Sequence, residues 1–208
     1  MEELRPPSKE KLQGEAYRLF SACFCLPRRE WFLQEGLFKN LATVLSEICN
    51  EAVPFVSEME RSLLETSEEE LRVEYARLFV GPYELKAPPY GSVYLDGERR
   101  LMGDSTLEVL RQYEEAGLVL EEGLKEPPDH IAIELEFMYY LLYKEAEARE
   151  DSEREKANAF RETRERFFKK LLNPWVPIFC EKIKESTDHP FYVALSNCLT
   201  TFVSRVDI

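Results

Sequence analysis

Apolar residues recur at three- and four-residue spacing along most of this chain. Such spacing places side chains on one face of an α-helix, whereas a strand would need alternating apolar and polar residues. The first stripe lies between Lys9 and Leu26, where Pro27 is expected to end the helix. The same period predicts helices at about 30–49, 54–65, 67–80, 105–116, 130–142, 144–170, 175–184 and 190–206.

Two stretches carry the pattern of a capping box at a helix start. Ser67 is followed by Glu70, and Ser105 is followed by Glu108. A Ser side chain can accept a hydrogen bond from the third helical N–H, while the Glu side chain bonds back to the Ser backbone. We therefore predict helix starts at both serines, with Gly117 as the C-terminal cap of the second helix.

The segment EPPDHIAIELEFMYYLL, residues 126–142, turns from polar to almost wholly apolar. We expect Pro127 and Pro128 to form the first helical turn, with Asp129 at its positive end. Beyond His130 the apolar residues cover every side of the helix, which is typical of a helix in the middle of a bundle. The sequence predicts an all-α fold, a single globular bundle of about eight to ten helices over residues 1–208.

Residues 82–103, PYELKAPPYGSVYLDGERRLMG, break the helical period with prolines, glycines and tyrosines. We expect an extended connection here, and long connections without helix or strand are frequently functional. Its tyrosines Tyr83, Tyr90 and Tyr94 could line a groove with the turn at Glu126–His130, or they could simply seal the bundle.

The net charge of −13 disfavours nucleic acid and anionic membranes as partners, because both attract positive charge, and it favours a basic partner. We expect no secretory signal, because the first residues lack a basic region followed by an apolar core, and no stable membrane insertion. These features predict a cytoplasmic protein. The five cysteines include no CxxC, and those of the CxC pair, Cys23 and Cys25, are expected in the core.

Catalysis and metal binding are the two chemical alternatives for His130. Asp129 and His130 are neighbours, so on a helix their side chains diverge by about 100° and cannot form an orienting pair. The chain also has no GxSxG nucleophile motif. His130 and Glu134 have the i, i+4 spacing of two metal ligands, but most sites need three or four, and Glu134 could instead pair with a basic neighbour. We predict no catalysis, no cofactor and no metal.

Three sequence blocks carry a resemblance to a known family. They are LFVGP at 78–82, APPYGSVYLDGERRLMGDST at 87–106 and EPPDHIAIELEFM at 126–138. In order and spacing these blocks resemble the TorD/DmsD/NarJ family of cytoplasmic chaperones that mature molybdenum-containing redox enzymes. The resemblance implies binding to the twin-arginine signal peptide and to the apo form of a molybdoenzyme catalytic subunit, which is held back from export until its molybdopterin cofactor is inserted.

The resemblance also implies the peptide-binding residues. They are Pro89, Tyr90, Gly91, Ser92, Tyr94, Gly103, Glu126, Pro127, Asp129 and His130. In this hypothesis Asp129, with Glu126 nearby, accepts the guanidinium groups, because such bonds are charge-assisted and bidentate. Tyr90, Pro89 and the start of the Ile131–Met138 helix hold the apolar part of the peptide. The alternative is an assembly factor that grips the folded body of a redox-enzyme subunit. The sequence leaves open the client and the choice between monomer and swapped dimer.

Overall fold

The computed structural model describes residues 7–81, 85–97, 101–121, 123 and 126–206. Within them lie eleven α-helices and no strand longer than an isolated bridge, which confirms the predicted all-α class. The helices are α1 Lys9–Cys23, α2 Arg29–Gln34, α3 Leu37–Ile48, α4 Val53–Glu65, α5 Glu68–Tyr75, α6 Ser92–Leu95, α7 Asp104–Glu115, α8 Ile131–Glu150, α9 Arg154–Phe167, α10 Val176–Ser186 and α11 Pro190–Arg205. The number of helices slightly exceeds the predicted eight to ten because it includes two very short ones, α2 and α6, which the periodicity does not predict as separate helices.

Helix α8 lies at the centre of the bundle, as its apolar circumference predicts. It packs against α1 on one side and α9 on another, while α11 packs on α4 and α10. Its residues Ile131, Leu135, Met138 and Leu141 are fully buried. Among the described residues, no helix is both long enough and apolar enough to cross a bilayer.

The predicted helix over 30–49 is wrong in one respect, because it is two helices. Gly36 separates α2 from α3 with a left-handed φ of 62°. Residues with a Cβ rarely adopt this conformation, so a glycine at this position permits the chain to change direction. The prediction that Cys25 belongs to the core is also wrong. Helix α1 ends at Cys23, which is buried, and Cys25 beyond it is exposed.

The two predicted capping boxes differ in outcome. At Ser67 both reciprocal hydrogen bonds with Glu70 are present, so this prediction is confirmed. At Ser105 the box is absent, because α7 already begins at Asp104 and Gly103 occupies the N-cap position. The backbone N–H and the hydroxyl of Ser105 instead donate to the carboxylate of Asp96. A carboxylate from the preceding segment therefore takes the place of the expected local cap.

Two five-residue π-helical turns, Ala76–Val80 and Phe168–Leu172, continue helices α5 and α9. The first overlaps the LFVGP block at residues 78–80, and Gly81 ends it with a φ of 76°. The Leu78 carbonyl accepts a hydrogen bond from the Ala87 N–H at 3.0 Å. This bond ties the described start of the 85–97 segment back to the end of the helix.

Candidate functional site

Two signature segments meet at the N-terminal end of α8. The Gly91 N–H donates to the Asp129 carbonyl at 2.9 Å, and the Ile131 N–H donates to the Pro89 carbonyl at 2.8 Å. Tyr90 and His130 thereby form an isolated antiparallel bridge. The part of the predicted extended segment around Tyr90 is thus extended, but Ser92–Leu95 then forms the short helix α6. Tyr83 lies outside the described residues.

The prolines do not form the first turn of α8, contrary to the prediction. The helix begins at Ile131, and His130 is its N-cap, with Nδ1 accepting a hydrogen bond from the Ala132 N–H at 3.1 Å. Pro127 lies in the turn before the helix, where its carbonyl accepts from the His130 N–H. Burial lowers the pKa of His130, and the nearby carboxylates of Glu126 and Asp129 oppose that shift. A neutral imidazole is the form that can accept this hydrogen bond at Nδ1.

Asp129 is fully buried, although the hypothesis above makes it the acceptor of the guanidinium groups. Its Oδ2 accepts a hydrogen bond from the Ser92 N–H at 2.8 Å. The carboxylate therefore caps the start of α6, where free N–H groups need an acceptor. In this conformation the carboxylate presents no exposed surface, which disfavours the direct contact with guanidinium groups predicted for Asp129.

Glu126 is the exposed carboxylate of this site. The Tyr90 hydroxyl donates to its Oε2 at 3.0 Å, and the Tyr90 ring packs edge-on against His130 with centroids 5.5 Å apart. Burial, reinforced by the charge of Glu126, raises the pKa of Tyr90, so the hydroxyl remains a donor. Among the described residues, Glu126 forms this hydrogen bond with Tyr90 and no ion pair with a basic side chain.

Beneath the bridge lies a buried polar pair that sequence reasoning missed. The Trp175 indole N–H donates to Glu134 Oε2 at 3.1 Å, and both side chains are fully buried. The expectation that Glu134 pairs with a basic side chain is therefore wrong. Burial raises the pKa of Glu134 well above its ordinary value, and the charge of Asp129 adds to the shift. The sequence does indicate that Glu134 needs a buried partner, because this glutamate lies in a helix that is otherwise apolar on every side. Nothing in the sequence identifies that partner as Trp175.

The glycines of the second signature are needed for space. A Cβ on Gly91 would lie 3.0 Å from Trp175 Nε1 and 3.1 Å from Glu134 Oε1. A Cβ on Gly103 would clash with the Asp96 carboxylate, so that side chain would have to move. Gly103 thus permits the Asp96 contact that starts α7, and no contact links it directly to Tyr90 or His130 in the described residues.

The remaining predicted residues support the loop. Tyr94 stacks on Trp175 with centroids 5.6 Å apart, and its hydroxyl donates to the Pro88 carbonyl. Pro89 and Ser92 are buried. Of the residues expected to hold the apolar part of a peptide, Pro89, Ile131 and Met138 are buried, whereas Tyr90 and Ile133 are partly exposed. Within the described ranges, no three His, Cys, Asp or Glu side chains come together as a metal site.

The fold and this site define an all-helical protein whose signature residues support a turn with an exposed acidic group. Residues 38–181, more than half of the chain, match the model of the nitrate reductase delta subunit family, so the chain belongs to that family. This match, with the relatives below, confirms the resemblance to the TorD/DmsD/NarJ family.

Two curated relatives are named as chaperones. The Tat proofreading chaperone DmsD of Salmonella typhi is 39% identical over 129 residues, which cover 62% of this chain and 56% of the relative. The chaperone protein TorD of Photobacterium profundum is 32% identical over 139 residues, which cover 66% of this chain and 62% of the relative. The matched region thus spans less than two thirds of either relative. Their names support the prediction that this chain is not an enzyme.

A solved structure shares the fold across the whole chain. It is the crystal structure of a proposed redox enzyme maturation protein from Archaeoglobus fulgidus, with a TM-score of 0.57 and 24% sequence identity. The likeness covers 98% of this chain and 99% of the other. At this identity it supports the fold alone.

Proposed function

We propose that this protein is a cytoplasmic chaperone in the maturation of a molybdopterin-containing oxidoreductase. It binds the twin-arginine signal peptide of the apo catalytic subunit and holds that subunit until its cofactor is inserted, before export. Family membership and the names of the relatives, a Tat proofreading chaperone and a TorD chaperone, support this assignment. The chaperone itself carries no catalysis in this proposal.

The observation that carries the proposal is the hydrogen-bonded junction of the two signature segments at Tyr90 and His130. This junction holds Glu126 on the surface, with one oxygen fixed by the Tyr90 hydroxyl. A carboxylate held in one orientation suits a planar guanidinium, which forms two directed bonds. Glu126 therefore takes the place of Asp129 as the group that accepts arginine.

Asp129 and His130 act on the peptide indirectly in this mechanism. Asp129 fixes the start of α6, and His130 fixes the start of α8 while its ring supports Tyr90. The net charge of −13 adds attraction toward the basic start of the peptide, so the association rate should decrease as salt increases.

Calorimetry with a twin-arginine signal peptide and its Lys-Lys counterpart tests the proposal. Glu126→Gln keeps the size of the side chain but removes its charge, and we expect about a ten-fold loss of affinity for the Arg-Arg peptide. Glu155→Gln, at an exposed position of α9, is the matched control and should bind as the parent does. Unchanged affinity in Glu126→Gln would remove Glu126 from the site, and absence of binding by the parent protein would contradict the proposed function.

A second candidate is an assembly factor that grips the folded body of a redox-enzyme subunit and ignores the signal peptide. The match to a family named for a reductase subunit favours it. Capture of a client that lacks its leader separates the two. Retention of the leaderless client at full strength would favour the assembly factor.

A further inference from the structure

An apolar groove of about 290 Å³ lies between α8 and the segment that follows α7. Phe137 and Tyr113 form its buried floor, and Leu118, Val119 and Ile133 line its sides. Val119 is 91% exposed, which is unusual for a valine beside an apolar surface. We refer to this feature as the α7–α8 groove.

Two hydrogen bonds connect residues of the α7–α8 groove to the turn that carries Glu126. The hydroxyl of Tyr113, in the floor, donates to the Pro128 carbonyl at 3.0 Å. The backbone N–H of Ile133, in the wall, donates to the His130 carbonyl at 2.9 Å. The groove therefore begins directly beside the Glu126–His130 turn, and one ligand can contact both.

The junction between the groove and the turn is acidic. Glu136 is the charged side chain among the residues that line the groove, and it is exposed. Glu126, which is also exposed, lies in the turn that the Tyr113 hydroxyl and the Ile133 N–H connect to the groove. One carboxylate therefore lines the groove and another lies on the adjoining turn, next to the apolar surface.

We propose that the α7–α8 groove binds the apolar middle of the signal peptide while its basic start lies at Glu126 and Glu136. This inference rests on the proposed function and extends the predicted apolar contact from the start of the Ile131–Met138 helix, where Ile133 lines the groove, to Leu118 and Val119. Charge complementarity selects this occupant, because a basic segment followed by an apolar one matches an acidic junction followed by an apolar groove. A second copy of the chain, with its net charge of −13, would bring like charges to the same junction.

Val119→Asp tests the groove without disturbing the core, because this side chain is almost fully exposed. We expect a loss of signal-peptide affinity of about ten- to a hundred-fold, since the contact between Val119 and the apolar middle of the peptide is lost and a charged group faces that apolar segment instead. Leu107→Asp is the matched control, at a 63% exposed apolar position of α7 outside the groove, and should change the affinity by less than about two-fold. Circular dichroism should show both variants folded.

A second peptide, with its apolar middle replaced by serine and glycine, makes the test specific. It should bind the parent protein weakly, and Val119→Asp should weaken it little further, because the two changes remove the same contact. Equal affinity of the parent and Val119→Asp for the natural peptide would overturn the groove assignment and leave the proposed function standing. If Val119→Asp changed the mass in solution without changing peptide affinity, the groove would be a contact between copies. Failure of the parent protein to bind any signal peptide would end both proposals.

Discussion

The chain contains two Asp-His pairs, and each stands immediately before a helix. His130 caps α8 and His189 caps α11, and in both cases Nδ1 accepts a hydrogen bond from the N–H two residues later, at 3.1 and 3.3 Å. The two aspartates differ, because Asp129 is fully buried and Asp188 is exposed. The same dipeptide thus gives the same helix cap, and the role of each pair depends on what lies beside it.

At the start of α11 the neighbouring polar groups satisfy one another. Glu74 forms an ion pair with Arg77 at 2.5 Å and accepts a short hydrogen bond from the Thr187 hydroxyl. The Thr187 oxygen in turn accepts from the His189 N–H. Arg77 holds the pKa of Glu74 below its usual range. At the start of α8, by contrast, Glu126 is exposed, and among the described residues its hydrogen-bond partner is the Tyr90 hydroxyl. We therefore assign recognition of the signal peptide to the α8 end.

The largest expected difference between the two pairs concerns the aspartates. Asp129→Ala leaves the buried Ser92 N–H without its acceptor, and we expect the free energy of unfolding to decrease by about 1–3 kcal/mol. Asp188→Ala removes an exposed side chain and should change it by less than about 0.5 kcal/mol. Urea unfolding measures both.

Asp129→Asn is the matched control, because its amide oxygen can still accept from the Ser92 N–H. It should recover most of the stability that alanine loses. If Asp129→Ala were as stable as the parent protein, the buried cap at α6 would not hold the loop, and a direct role for Asp129 in the site would return.

Local sequence predicts a helix start only where no distant group competes. Ser67 and Glu70 are both exposed and form their box, and no other side chain among the described residues bonds to the Ser67 hydroxyl. Ser105 has the same pattern, but its N–H and hydroxyl bond to Asp96, and this contact depends on the close approach that Gly103 permits. Periodicity therefore predicts the helical class and the central place of α8, while the exact caps depend on tertiary contacts.

The candidate site shows the same limit. The family resemblance predicts that residues 89–94 and 126–130 belong to one site, and in the structure hydrogen bonds connect the two segments. The burial of Asp129 could not be predicted, because it depends on an N–H that lies 37 residues away in sequence. The partner of Glu134, Trp175, is 41 residues away. Residue type indicates which groups can bond, but the packing of the bundle decides which of them remain exposed.

Alanine variants of the two histidines should differ little from each other in stability but clearly in signal-peptide binding. His130→Ala and His189→Ala each remove a helix cap, and we expect each to decrease the free energy of unfolding by about 1 kcal/mol. His130→Ala also removes the ring that packs against Tyr90, so it alone should weaken signal-peptide binding. Paired urea unfolding and calorimetry measure the two effects. Equal loss of peptide affinity in both variants would mean that the α8 end has no special part in recognition.

The smallest expected effect is a shared dependence on pH. Burial lowers the pKa of both histidines below the ordinary 6.5, so the unfolded chain binds more protons than the folded one as the pH decreases through that value. The contribution of the two histidines to stability should therefore be fully present above about pH 6.5 and be lost between about pH 6.5 and 5, before most carboxylates titrate. Glu134 acts in the opposite sense, because its raised pKa makes the folded chain bind more protons as the pH decreases. The double variant His130→Asn with His189→Asn keeps a capping side chain that does not titrate, so in urea unfolding the parent protein should lose stability relative to this variant between pH 7 and pH 5. The same change in stability in parent and variant would show that neither imidazole is held neutral by its cap.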